Sequence, residues 1–330
     1  MSVGDLMKEF AIQKNDAGQR LDRFVSKAAP LLPASLAQKY IRLKRVKVNG
    51  KGAKRDTRLT VGDTVQMYIN DEFFDKPNEY NAFLAVSTPR VNIVYEDENI
   101  ILADKKAGML CHPDREWTAN TLISNIQAYL YQKGEWNPKA ENSFTPALCN
   151  RIDRNTGGIV IAAKTAEALR VMNDKIRDHQ LEKSYLCIVR GRPKPASGTL
   201  TGYLFKDSVK NRVFVHQKPV TGGKTAVTHY ETLTTSNGLS LVRCRLETGR
   251  THQIRAQMAA AGWPLLGDGK YGVGTVNRKY DENGQMLYSY RLKFEFTDDA
   301  GGLEYLNGRE FTVTDIDFVK KYFPDFDLQM

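Results

Sequence analysis

The chain is poor in cysteine, has no long apolar run, and carries little excess charge outside one end. Its four cysteines, Cys111, Cys149, Cys187 and Cys244, are widely spaced and form no C-x-x-C pair. That spacing argues against the common zinc motifs and against a secreted disulfide framework. The four are expected as small buried apolar side chains. No apolar run reaches the roughly 18 residues of a membrane span. The opening MSVGDLMKEF has no basic region followed by an apolar stretch, so no secretory signal is expected, and the cytoplasm is the expected compartment. Nucleotide and zinc-protease motifs are also missing: there is no G-x-G-x-x-G after a strand, no G-x-x-x-x-G-K-[ST] and no H-E-x-x-H. GVGTVN at 272–277 lacks the third spaced glycine and reads as a loop. Neither a cofactor nor a metal is expected.

What is present is an ordinary globular composition, 41% hydrophobic and 26% charged over 330 residues, enough for one large domain and a small one. The net charge of +10 is concentrated. Residues 1–70 hold 14 Lys/Arg against 6 Asp/Glu, whereas the remaining 260 hold 34 against 32. A compact basic module beside a near-neutral body points to a polyanion. A solubilising charged face is the plainer alternative.

Residues 18–29 read as a helix with Leu21, Phe24, Val25 and Ala28 on one face. Pro30 and Pro33 break it, and Ser35 is placed to cap a second helix carrying Lys39, Arg42, Lys44 and Arg45. Short alternating strands follow, with turns at Asn49-Gly50 and Gly62-Asp63. Residues 71–88 are acidic and aperiodic and read as a linker. Beyond Val91 the pattern mixes strands with helices at 121–132 and 164–180, and a hairpin turns at Ser236-Asn237-Gly238. The expected fold is α+β: a mainly antiparallel mixed sheet at 91–330, a small N-terminal α/β module at 1–75, and a linker at 76–90.

Four stretches carry chemistry: DKKAGMLCHPD (104–114), CNRIDRNTGGIVIAAK (149–164), LEKSYLCIVRG (181–191) and LETGRTHQIRAQM (246–258). In the second, Asp153 precedes Thr-Gly-Gly and a β-branched run, where a tight loop feeds a buried strand. A partly desolvated carboxylate there needs a donor or a cation, although it could equally cap the loop. In the fourth, Thr251 can cap a helix, and Arg250, His252 and Arg255 cluster at its first turn. Arg255 suits the carboxylate because its fork can bind one bidentately. His252 reads first as a structural hydrogen-bonder. Tyr185, on a strand with Lys183, is either a core side chain or a ring for stacking on a base.

Residues 16–70, from AGQRLDRFVSK through QKYIRLKRVKVNGK to GDTV, resemble the S4-type RNA-binding domain. Lys39, Arg42, Lys44, Arg45 and Lys47 would form its RNA face. The four later stretches, with LLGDGKYG (265–272), together resemble the RluA-type pseudouridine synthase family. The family's His-Arg-Leu-Asp signature stands here as Asn150-Arg151-Ile152-Asp153, followed by Thr156-Gly157-Gly158 and IVIAAK. EKSY and TGRTHQIR match the segments that supply its tyrosine and arginine. The departures are Asn150 for histidine, Ala107 for proline and Gly157 for serine.

The resemblance implies conversion of uridine to pseudouridine in RNA, in particular large-subunit (23S) ribosomal RNA. Asp153 would be the catalytic carboxylate, Arg255 its partner, and Tyr185 the ring under the base. Ile254 would pack on the uracil, and Arg151 would fill the space left by the flipped nucleotide. Arg250, His252 and His112 join them as candidate substrate contacts. A monomer without a small-molecule cofactor is expected. Two other readings remain: an inactive S4-bearing ribosome-assembly factor, and an aspartate-dependent glycosidase on free nucleosides. The glycosidase would need a second carboxylate about 5–10 Å away, and no stretch offers a convincing one.

Overall fold

The computed structural model describes residues 7–13, 16–75, 81–114, 120–138, 144–207 and 209–328. The chain divides into two compact units, Met1–Arg90 with His112–Asn137, and Val91–Cys111 with Pro138–Met330.

In the first unit, strands β1 (Met7–Ala11), β2 (Val46–Val48), β3 (Lys51–Gly52) and β4 (Thr64–Tyr68) form an antiparallel sheet in the order β1-β4-β2-β3. Alternation decides its faces: Val65 and Met67 are buried while Thr64, Gln66 and Tyr68 are partly open. Helix α1 (Leu21–Ala28) buries Leu21, Phe24 and Val25 against this sheet's core, the i, i+3, i+4 face expected of it. Helix α2 (Ala34–Arg42) buries Ala37 and Ile41 and leaves Lys39 and Arg42 in water. Ser35 does not cap α2. Pro33 precedes the first helical residue, and the Ser35 hydroxyl instead meets that of Ser87 at 3.2 Å.

The stretch read as a linker contains regular structure. Two 3-10 turns, Asp71–Phe74 and Ala82–Ala85, bury Phe73 and Phe83; residues 76–80 lie outside the described residues. Helix α3 (Leu122–Lys133) starts with a capping box between Thr121 and Ser124. It packs on the second turn, with Phe83 against Tyr131 at 5.3 Å and against Trp136 at 5.0 Å. These aromatic contacts group residues 112–137 with the N-terminal unit rather than with the sheet that surrounds them in sequence.

The second unit is built on one large sheet. Its strands are β5 (Asn92–Glu96), β6 (Ile100–Lys105), β7 (Ala147–Leu148), β8 (Gly157–Ala163), β9 (Leu181–Arg190), β10 (Ser197–Asp207), β11 (Arg212–His216), β12 (Lys224–Ser236), β13 (Leu239–Leu246), β14 (Leu287–Phe294) and β15 (Glu310–Thr312). The order is β11-β10-β12-β13-β9-β14-β8-β6-β5, with β15 on β14 and β7 on β8. All pairs are antiparallel except β14 with β8, so the expected α+β class with a mainly antiparallel sheet is what forms. Helices α4 (Ala166–Arg177), α5 (Gln253–Ala260), α6 (Gly274–Tyr280) and α7 (Asp317–Tyr322) complete the unit. All seven residues of β8 are buried, which explains its unbroken apolar run. GVGTVN is not a plain loop: α6 begins at Gly274 because Val276 and Tyr280, four residues apart, both join the apolar cluster under β9 and β14.

The parallel junction of β8 and β14 explains one departure from the family signature. A Cβ on Gly157 would lie 2.6 Å from the Tyr288 ring, so that ring occupies the room a serine would need. Gly158 has φ +110°, and a Cβ there would fall 2.2 Å from the Ser289 carbonyl oxygen. Backbone cannot yield as a side chain can. Gly158→Ala is therefore expected to cost more than about 2 kcal/mol, read as a lower urea midpoint; an unchanged midpoint would contradict this account of the junction.

Candidate active site

The loop Asn150–Thr156 joins β7 to β8, and its shape is set from beneath. Asn150 Oδ1 accepts from the Ile161 N–H at 2.8 Å, so the residue standing in for histidine pins the loop to its own strand. The Thr156 N–H donates to the Asp153 carbonyl at 3.1 Å. Lys105, only 1% exposed, donates to the carbonyls of Met109 at 2.8 Å, Arg154 at 3.0 Å and Lys106 at 3.1 Å. Burial pushes its pKa down to about 8. The Cys111 thiol donates to the Ile152 carbonyl, and the Gly108 N–H to that of Arg154. A buried cation and two further donors thus fix the backbone on either side of Asp153.

Arg255 lies on the first turn of α5. Its Nη1 donates to Asp153 Oδ2 at 2.7 Å. Its bidentate fork, however, does not close on Asp153 as expected. Nε and Nη2 donate to the two oxygens of Asp268, at 2.7 and 2.9 Å. Geometry decides this: the Asp268 carboxylate is sealed inside, with no exposed side-chain surface, and cannot be left unpaired, whereas Asp153 is 27% exposed. Asp268 also accepts the N–H groups of Lys270 and Tyr271. Burial alone would raise its pKa; the Arg255 guanidinium and those N–H donors outweigh burial and hold its carboxyl below the usual range.

Thr251 is not the helix cap either. His252, in the left-handed region at φ +53°, precedes Gln253, and the turn is organised by Gln253 Oε1 accepting from the Arg250 N–H and the Thr248 hydroxyl. His252 behaves as the structural hydrogen-bonder. Its Nδ1 lies 2.9 Å from the Tyr271 hydroxyl, which already accepts from the Val213 N–H. The other ring nitrogen, Nε2, lies 3.9 Å from Asp153 Oδ2. Burial, joined by the Arg255 and Lys270 charges, pushes the His252 pKa down to about 4 despite the pull of Asp153, so the ring is neutral near pH 7.

Tyr185 stands on β9 directly across from Ser289 of β14, and burial pushes its pKa up to about 12. Asp153, Tyr185, Arg255, Arg151, Ile254, Arg250 and His252 line one pocket of about 370 Å³. His112 falls in the other compact unit. Of the basic residues expected on an RNA face, Lys39, Arg42 and Lys44 are exposed. Arg45 donates to the Tyr68 carbonyl and lies over the Tyr40 ring, and Lys47 lies over the Tyr68 ring. Sequence reasoning missed Lys105, Asp268 and Tyr271. The last two stand in LLGDGKYG, where a lone acid between glycines in an apolar setting was the available signal. Among the described residues no group of three or more His, Cys, Asp or Glu side chains could hold a metal ion, and no helix is long and apolar enough to cross a membrane.

Asp268→Asn strands half of the Arg255 fork and is expected to cost about 3 kcal/mol in urea unfolding at pH 7. Because the folded-state pKa of Asp268 is depressed, its contribution is present above the unfolded value and is lost as pH falls. The gap between wild type and variant should therefore narrow below about pH 4. A gap of the same size at pH 3 would refute the ion-pair origin of the effect.

The comparisons agree with this geometry. The RNA pseudouridylate synthase family model matches residues 99–260, and the S4 domain model matches residues 19–65. An uncharacterised RNA pseudouridine synthase of Mycoplasma genitalium is 33% identical over 88% of this chain and 90% of its own. The ribosomal large subunit pseudouridine synthase D of Neisseria meningitidis is 30% identical over 84% of this chain and 72% of its own. Among solved structures, human RNA pseudouridylate synthase domain containing 1 superposes with a TM-score of 0.51 at 19% identity, over 75% of this chain and 96% of its own, a likeness of fold. With a signature loop, a paired aspartate and arginine, and relatives matched along most of their length, the chain belongs to the RNA pseudouridine synthases, isomerases that convert uridine in RNA to pseudouridine.

Proposed function

We propose that this enzyme isomerises uridines of large-subunit (23S) ribosomal RNA, with Asp153 as the reacting carboxylate. The observation that carries the assignment is the single hydrogen bond from Arg255 to Asp153 at the pocket, which orients the carboxylate while leaving its other oxygen unclaimed by that arginine. Two relatives named as large-subunit synthases, from Neisseria meningitidis and Borreliella burgdorferi, support the choice of RNA.

The reaction breaks the N1–C1′ bond, turns the uracil and joins C5 to C1′. The C5 proton then leaves and N1 gains one, so atoms balance without redox change. Asp153 serves either as a nucleophile at the sugar or as a base there, and in both routes the N1–C1′ electron pair departs with the uracil. The target nucleotide leaves its stack at a cost of a few kcal/mol. Arg151, exposed at the pocket mouth, fills the vacated space, Ile254 packs on the base, and the neutral Tyr185 ring stacks beneath it. Neutral His252 places its Nε2 on the Asp153 side without competing as a cation. The module at residues 1–75 tracks the RNA backbone through Lys39, Arg42 and Lys44. Residues 91–330 carry the chemistry, and one copy of the chain suffices.

Tritium release from [5-³H]uridine transcripts of large-subunit, small-subunit and transfer RNA tests the chemistry. Release is expected from the large-subunit RNA alone, and Asp153→Asn is expected to lower it by at least about 1,000-fold with the melting temperature unmoved. Residual activity within about tenfold of wild type would remove Asp153 from its role. Retained RNA affinity with no release by wild type, from transcripts or from subunits of a strain lacking the gene, would favour the inactive assembly factor. A second test concerns the basic face: the triple variant Lys39→Gln, Arg42→Gln, Lys44→Gln should weaken binding and reduce the slope of log affinity against log salt by about 2. An unaltered slope would take the RNA contact away from this face.

A further inference from the structure

Strand β9 sends alternate side chains to opposite faces. Lys183 and Tyr185 both line the Asp153 pocket, whereas Glu182 turns away and accepts from Arg291. The other cations around the pocket are accounted for. Arg255 is held by two carboxylates, and Arg151, Lys206 and Arg250 are exposed at the rim, where water solvates them. Lys183 differs. It is half-buried, and among the described residues no hydrogen bond or ion pair reaches its ammonium group. Burial pushes its pKa below the ordinary lysine value, with nothing opposing. A cation withdrawn from water without an acceptor costs free energy, and a ligand that supplies the acceptor removes that cost.

Chemistry narrows the ligand. Phosphodiesters are bulky, well-hydrated anions that suit the exposed rim cations. The inner position, two residues along the strand from the Tyr185 ring, suits a flat base with carbonyl oxygens at its edge. When the N1–C1′ bond breaks, the departing electron pair spreads over N1 and the O2 and O4 carbonyls. An ammonium half-withdrawn from water acts more strongly than an exposed one on charge that develops beside it. Resting on the assignment of this pocket to uridine isomerisation, we propose that Lys183 is a catalytic residue: it donates to a carbonyl oxygen of the flipped uracil and stabilises the charge that oxygen gains as the glycosidic bond breaks.

The test separates rate from binding. Lys183→Met, Lys183→Gln and Lys183→Arg are compared with wild type by single-turnover tritium release at saturating enzyme, and by filter binding of the transcript that wild type modifies. Lys183→Met and Lys183→Gln are expected to lose about 100-fold in the saturated rate while affinity changes by less than about threefold, with Lys183→Arg recovering most of the rate. Affinity weakened about tenfold with the saturated rate intact would overturn the proposal in favour of a phosphate contact. Rate and affinity both unchanged would reduce Lys183 to a lining residue. If Lys183→Met melts early, Lys183→Gln decides alone. Failure of wild type itself to release tritium would instead bring down the function proposed for the pocket, so the two failures are distinct.

Discussion

One guanidinium shared between two carboxylates holds the centre of this molecule together. Arg255 must stay charged in a nearly closed setting, and it does so because Asp268, sealed and bidentate, neutralises it permanently. Its third nitrogen, Nη1, is left to reach Asp153. The division separates structure from chemistry: the buried acid meets most of the arginine's solvation demand through two hydrogen bonds, and the half-open acid bears the smaller share through one. The same group of residues then extends outward. Tyr271 lends its N–H to Asp268, its ring to the faces of Arg255 and Arg212, and its hydroxyl to His252. A helix start, a strand edge and the signature loop are thereby tied to one ion-pair cluster.

The opposite side of the signature loop is held by quite different means. Among the described residues, Lys105 offers its ammonium to three backbone carbonyls and to no carboxylate within hydrogen-bonding distance. Burial depresses the pKa of the lysine, and carbonyl dipoles, weaker partners than a carboxylate, do not restore it. Such an arrangement fixes backbone rather than side chains. Asp153 thus receives its backbone position from Lys105 and its side-chain orientation from Arg255, two constraints that arise from distant parts of the chain.

Much of this was legible in the sequence because the signals were local. The spacing of Leu21, Phe24 and Val25 implied α1, the turn at Asn237-Gly238 implied the β12–β13 hairpin, and the blocks around Asp153, Tyr185 and Arg255 marked residues that do line one pocket. Expectations failed where a partner distant in sequence made the choice. Arg255 looked suited to fork onto Asp153, but a second acid thirteen residues downstream claimed the fork. Ser35 and Thr251 carried cap-forming side chains, yet Pro33 and Gln253 organised those helix starts. GVGTVN folded as helix because distant apolar side chains gave Val276 and Tyr280 a surface to cover. Lys105 gave no pattern at all, since backbone carbonyls leave no trace in side-chain spacing.

The glycine at 157 carries a consequence for how such a chain can change. The Tyr288 ring occupies the space beside it, and the Tyr288 hydroxyl donates to Asp104 on the neighbouring strand β6, whose carboxyl burial pushes toward the neutral form. Enlarging residue 157 therefore demands a smaller residue at 288, and shrinking 288 deprives Asp104 of its donor. The three positions, spread over β6, β8 and β14, thus form an interlocked set in which a change at one alters what the other two require.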